Sequence, residues 1–436
     1  MEFIPKILFA ILLIVGIGYF ARNVKKLTRN IKLGKDVDRA DNKSERWKNM
    51  TMIALGQSKM VRRPIAGFLH IVVYVGFVII NIEVLEIIID GLFGTHRVFT
   101  NVLPDSIYGF LIGSFEILAV GVLLAVIIFW IRRNAIKLKR FLSSEMKGWP
   151  KSDGNIILYF EMVLMTLFLV MNATDVKFQD MEAGNIISKH IAGWFGSGDH
   201  LHIIERAAWW IHITGILIFL NYLYYSKHLH ILLAFPNTWY ANLKPKGQFV
   251  NDANVTKEVM LMMDPNADPF AAPAEGEDEG EPEKFGASDV QDLNWVQLMN
   301  SYTCTECGRC TSECPANLTG KKLSPRKIMM DTRDRLEEVG KNIDANKGTF
   351  VDDGKSLLND YITTEELWAC TSCNACVEAC PVSIDPLSII MEMRKYLVME
   401  QSAAPTELNV MMGNIENNGA PWPYNQMDRL NWKDEN

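Results

Sequence analysis

The chain has 436 residues, a net charge of −7 and 49% hydrophobic content. Those figures are ordinary for a globular protein, and the acidic balance argues against a nucleic-acid partner. Eight cysteines in so long a chain do not suit a disulfide framework, which staples small secreted domains.

The apolar residues are unevenly spread. Five stretches approach bilayer-spanning length, at about 3–19, 65–89, 107–131, 156–172 and 203–225. Any one of them could be a buried core helix. Five between basic loops predict a transmembrane domain over 1–235. Arg22–Arg63 carries thirteen Lys or Arg and Arg132–Lys151 seven, whereas Asp90–Asp105 has only Arg97 and Asp175–His202 only Lys177 and Lys189. By the positive-inside rule the basic loops are cytoplasmic and the N-terminus outside, as expected of a multi-pass protein of a bacterial-type inner membrane. The first stretch lacks a basic start and has Arg22, Lys25 and Lys26 after its apolar run, so it reads as a retained anchor, not a cleaved signal.

Ionisable residues inside a bilayer are costly and usually functional. His70 lies in the second stretch and His212 in the fifth, with His228 and His230 read as closing the fifth helix. Paired histidines on facing helices can hold a haem, and the eighteen residues from His212 to His230 predict one helix face. Glu83, Glu86, Glu116, His202 and Glu205 form a candidate quinone and proton site, because quinone chemistry needs proton donors or acceptors beside an apolar pocket. Glu161 and Asp90 are further acids within the spans.

A segment over 236–286 follows. Its acidic part, with EGEDEGEPE, predicts an extended, self-repelling tether. Beyond it come the cysteines. Cys304, Cys307, Cys310 and Cys314 precede Pro315, and Cys370, Cys373, Cys376 and Cys380 precede Pro381. Each run reads C-x2-C-x2-C-x3-C-P, an iron–sulfur signature in which the fourth cysteine serves the other cluster. Zinc usually takes ligand pairs, not this tight step. Two [4Fe–4S] clusters are therefore predicted, one on Cys304, Cys307, Cys310 and Cys380, the other on Cys370, Cys373, Cys376 and Cys314. With no ligand replaced, they suit electron relay. The stretch between the runs looks helical, from Ser324-Pro325 to near Gly340, with a second start at Thr363–Glu366.

CTECGRCTSECPAN and CTSCNACVEACPVSIDP resemble the α-helical ferredoxin domain of heterodisulfide reductase small subunits, expected here over 287–400. WWIHITGILIFLNYLYYSKHLHILLAFPN resembles the last haem-bearing helix of the cytochrome b subunit of respiratory nitrate reductases, and RRPIAGFLHIVVYVGF around His70 its second helix. That second helix carries two histidines ten residues apart, where this chain has Ile80 after His70 and Met60 before it. The resemblance thus implies one b haem more readily than two, on His70 and His230, although by depth His70 with His212 fits about as well. The implied fold is all-α: a five-helix cytochrome b-like transmembrane bundle plus a helical two-cluster ferredoxin domain on the tether.

In fused relatives a cysteine-rich catalytic unit follows. The tail NNGAPWPYNQMDRLNWKDEN, within 401–436, resembles the junction before it, and no cysteine follows Cys380. The resemblance implies a separate cysteine-rich iron–sulfur subunit docked near Trp422, Trp432 and the cluster of Cys370, Cys373 and Cys376, with an electron-transfer flavoprotein or other flavoprotein as a further partner. The function implied is an electron-transfer subunit of a (mena)quinone-linked oxidoreductase. The alternative is a membrane redox conduit or sensor with no quinone site.

Overall fold

The computed structural model describes residues 3–181, 183–245, 247–249, 251–265 and 284–434. The EGEDEGEPE tether lies outside the described residues. Five helices are long and apolar enough to cross a membrane: Phe3–Ile31, Pro64–Phe93, Asp105–Asn134, Trp149–Thr174 and His200–Tyr222, the last extended by a tight turn to Tyr225. We call them the first to fifth spans. Each packs on the next in chain order, and the fifth returns to the first, so the bundle closes into a ring. Phe9, Ile112, Phe115, Phe168 and Ile213 fill its interior. Phe68, Phe110, Ile117, Val163 and Ile203 stay exposed on its outside. Water would penalise so large an apolar band, whereas lipid is its natural solvent, and helices satisfy their own backbone there. The protein is a membrane protein. Small residues let the spans approach closely: a Cβ on Gly76 would lie 2.4 Å from Val122, and one on Gly91 2.4 Å from the Phe9 ring.

Two helix ends differ from the sequence reading. The first span runs to Ile31, 29 residues in all. That is about 44 Å of helix against a hydrocarbon core of about 30 Å, so its polar end leaves the bilayer. There Leu27 joins the core of the cysteine-bearing half, and Asn30 donates to the Tyr302 hydroxyl at 2.9 Å. The fifth span stops before His228 and His230. Ser226 is extended, at φ −113° and ψ 151°. Asp153 stabilises the break by accepting from the Tyr222 hydroxyl at 2.6 Å and from the Lys227 amide at 3.1 Å. His230 opens a separate helix, His230–Trp239. The one-face argument for His212 and His230 therefore fails, because the helix does not continue between them.

Among the described residues of the cysteine-bearing half there is no strand. Helices Trp295–Thr303, Pro325–Ala345, Thr364–Trp368 and Pro386–Met399 surround the two runs. The expected starts are present: Ser324 caps the Lys327 amide, and Thr363 and Glu366 form a reciprocal capping box. The helix beginning at Pro325 continues past Gly340, which marks a close approach instead. A Cβ there would lie 2.5 Å from Asn30 of the first span.

The two halves are docked on each other. The same basic loops that signalled topology hold acids of the cysteine-bearing half. Lys26 pairs with Asp344 at 2.5 Å, Arg62 with Glu378 at 2.5 Å and Arg63 with Glu313 at 2.9 Å, and outside those loops Lys227 pairs with Glu306. A further buried link is reversed in charge. Arg326 donates to Glu145 at 2.6 Å, to the Arg140 carbonyl at 2.6 Å and to Ser143 at 2.9 Å. Removing one partner of such a pair leaves the other charge uncompensated. Arg326→Ala should therefore destabilise the docked half by about 3 kcal/mol, read as a lower temperature for loss of cluster absorbance.

Candidate redox site

The two cysteine runs repeat in backbone as well as sequence. Cys304 ends helix Trp295–Thr303, whose start is fixed by a capping box between Asn294 and Gln297. Glu306 and Gly308 then take positive φ, 54° and 70°, and Ser372 and Asn374 take 57° and 58° at the same offsets in the second run. Glycine and asparagine tolerate that conformation best. The turns direct amides inward, and the Ser372 amide lies 3.4 Å from the Cys370 sulfur. The short helices that follow, Arg309–Ser312 and Ala375–Ala379, pack on each other.

One cavity is lined by Cys304, Cys307, Cys310 and Cys380, with Arg309 and Arg326. Cys314 is not among its walls; its charge acts instead on Cys370 and Cys376. The chain thus brings the fourth cysteine of each run to the other run's first three. Among the described residues no three His, Cys, Asp or Glu side chains could hold a metal ion together. A four-iron cube takes each thiolate at a separate corner, which suits four cysteines drawn from two runs. Burial pushes the Cys304 thiol up to about 12 and the Cys380 thiol up to about 11. Metal loading must therefore drive off these protons, coupling cluster insertion to folding.

Sequence reasoning missed Glu306, which lies inside the first motif. It is buried between Lys227 and Arg333, the latter at 2.9 Å. Burial opposes its charge, but the two cations hold its carboxyl below the ordinary range. It links the first run directly to the break after the fifth span. Only its place between two cysteines marked it, and the motif leaves that position free.

The histidines separate into two places. The ring centres of His70 and His230 are 6.4 Å apart, with planes at 42°. With metal–nitrogen bonds of about 2 Å, two imidazoles at this separation could hold one metal ion between them. The Nδ1 of His230 lies 3.0 Å from the Lys227 carbonyl, a contact that fixes the tautomer and leaves Nε2 for a ligand. The His70 Nδ1 is buried without a partner. These residues fit a haem, which would supply one-electron storage there. His228 is the immediate neighbour, 5.5 Å from His230. His212 lies elsewhere, against Phe168 at 6.3 Å. Arg309 bridges the site and the cysteines: it lines the cysteine cavity, and its charge acts on His70.

The acids gather at the other end of the bundle. Arg97 donates to Asp175 at 2.7 Å, to Tyr108 at 3.1 Å and to Asn172 at 2.8 Å. Asn172 in turn donates to Glu116, which also accepts from the Ile187 and Ser188 amides. Glu86 accepts from the Phe99 amide and the Tyr108 hydroxyl. Glu83 is buried beside them with one carboxyl oxygen unpartnered. Glu205 pairs instead with Arg206 and lies 3.9 Å from His202, whose side chain is exposed. Glu161 is buried in the fourth span. In the tail, Trp422 and Trp432 are exposed.

Fold and site together define a membrane protein carrying an all-helical two-cluster iron–sulfur domain. Residues 303–384 match the family described as a 4Fe-4S dicluster domain. The chain is 28% identical to a probable iron–sulfur-binding oxidoreductase, FadF, of Bacillus subtilis, over 98% of this chain and 61% of that one. It is 25% identical to the EtfAB:quinone oxidoreductase of Syntrophomonas wolfei, over 92% of this chain and 55% of that one. Over 24% of this chain and 52% of the relative it is 35% identical to one subunit of the ferredoxin/F420H2-dependent CoB–CoM heterodisulfide reductase of Methanosarcina acetivorans. The chain thus spans less than two thirds of each of these relatives. No solved structure matches it. It is homologous to iron–sulfur oxidoreductases and to heterodisulfide reductase subunits.

Proposed function

We propose that the protein is the membrane electron-transfer part of a quinone-linked oxidoreductase. Electrons pass between a cysteine-rich iron–sulfur unit or flavoprotein, the two [4Fe–4S] clusters, a b haem on His70 and His230, and the menaquinone pool. The observation that supports this reading is the facing His70–His230 pair, together with Arg309, which lines the first cysteine cavity and whose charge reaches His70. A relay needs its carriers adjacent, and a structural histidine pair has no reason to sit there. The name of the Syntrophomonas relative, an EtfAB:quinone oxidoreductase, supports the quinone and flavoprotein ends. The basic charge of the docking loops supports a cytoplasmic position for the clusters, where thiols stay reduced.

The buried acids serve as the proton side of quinone chemistry. Glu83 is the proton acceptor within this proposal, because its free oxygen is the one not committed to the surrounding network. Thirteen residues of helix separate it from His70, about 20 Å along the axis, so electrons and protons enter at opposite ends of the bundle. Glu83→Gln should lower quinone-coupled turnover by roughly 100-fold while leaving cluster and haem spectra unchanged. Unaltered turnover with a menaquinone analogue would remove Glu83 from the site.

A further inference from the structure

The two cysteine sets lie in different charge surroundings. Arg309 is buried, yet among the described residues it donates only to the Lys59 and Met60 carbonyls, both at 3.4 Å, and to the Met60 sulfur at 2.6 Å. Arg140, on the loop between the third and fourth spans, is half-buried over the Phe141 ring at 4.9 Å, and its Nε has no partner. Its Cβ is 3.5 Å from where a side chain on Gly308 would begin, hence against the first run. Neither guanidinium makes an ion pair with a carboxylate among the described residues, and each repels the other. Two uncompensated cations this close call for an anion between them. Both act on Cys307, and Arg309 also on Cys380.

We propose that Arg140 and Arg309 are the counter-charges of the cluster on Cys304, Cys307, Cys310 and Cys380, and that they raise its reduction potential above that of the cluster on Cys370, Cys373, Cys376 and Cys314. This rests on the two-cluster reading above. A four-iron cube with four thiolates is anionic and gains a further negative charge on reduction, so nearby cations favour the reduced form. The second set has one such cation, Arg394, which donates to the Cys370 carbonyl at 2.5 Å. Asp385 acts on Cys376 in the opposite sense to that cation, although burial opposes the charge of its carboxyl. Water at the exposed Cys373 works in the opposite sense, but solvent at one corner is weaker than two full charges in a half-buried site. One electron then leaves the second cluster and enters the first, downhill toward His70, with no bond made or broken. Arg140 belongs to the membrane half, so docking adds to the gradient that Arg309 begins.

The test is an EPR-monitored redox titration of the purified full chain with both clusters loaded. Two separate components are expected. Arg140→Gln and Arg309→Gln should each move the more positive one toward negative potential, Arg140→Lys should hold it, and Arg394→Gln should move only the other. Cys314→Ser protein, which retains the first cluster alone, should titrate at the more positive potential even if the glutamine variants shed it. Coincident potentials in the unaltered protein, or the more negative value in Cys314→Ser protein, overturn the proposal. Iron for fewer than two clusters in the unaltered protein would instead overturn the functional reading beneath it.

Discussion

Cys380→Ser produces the same loss as Cys304→Ser, although the two positions belong to different runs. Each should reduce iron from about eight to about four per chain and remove one EPR component. Cys314→Ser and Cys370→Ser should remove the other. The expectation follows from the cavity walls, where Cys380 stands with the first run's leading cysteines, and from Cys314 acting on Cys370 and Cys376. Comparing Cys380→Ser with Cys304→Ser separates crossed from local ligation, since local ligation would make Cys380→Ser behave like Cys370→Ser. Loss of both clusters from one substitution would mean unfolding, because metal and fold are coupled.

The second large effect concerns the histidines. His70→Ala or His230→Ala should lower haem content by roughly tenfold or more, since losing an axial ligand costs at least as much as losing its supporting contacts. His212→Ala should leave the reduced haem absorption band in place. The reason is positional: His70 and His230 face each other at 6.4 Å, whereas His212 packs on Phe168. An intact band in His230→Ala protein, with loss in His212→Ala protein, would reassign the pair.

The membrane half was legible because bilayer length and loop charge are strong, local signals. The cysteine runs were legible because their spacing states a chemistry. The break at Ser226 was not, since it depends on Asp153 reaching across from the fourth span to the Tyr222 hydroxyl and the Lys227 amide. That break moves His230 off the fifth span and changes which histidines can meet. Docking was hidden for a similar reason. Lys26, Arg62 and Arg63 read correctly as basic loop residues, but their partners Asp344, Glu378 and Glu313 lie about 250 or more positions away. The core that Leu27 and Leu229 share with the cysteine half is likewise a long-range feature that no local pattern announces. Glu83, Glu86 and Glu116 were picked out as buried acids, but the cation that gathers them, Arg97, was read only as the lone basic residue of its loop.

The central claim is that clusters, haem and quinone form one path through this chain. Anaerobic stopped-flow mixing of the fully reduced, purified protein with a menaquinone analogue tests it most directly. The account predicts that haem and both clusters reoxidise, with the haem leading, and that His70→Ala slows cluster reoxidation. Clusters that stay reduced after mixing, in protein whose haem and iron content are complete, would contradict it and leave a redox conduit with no quinone site.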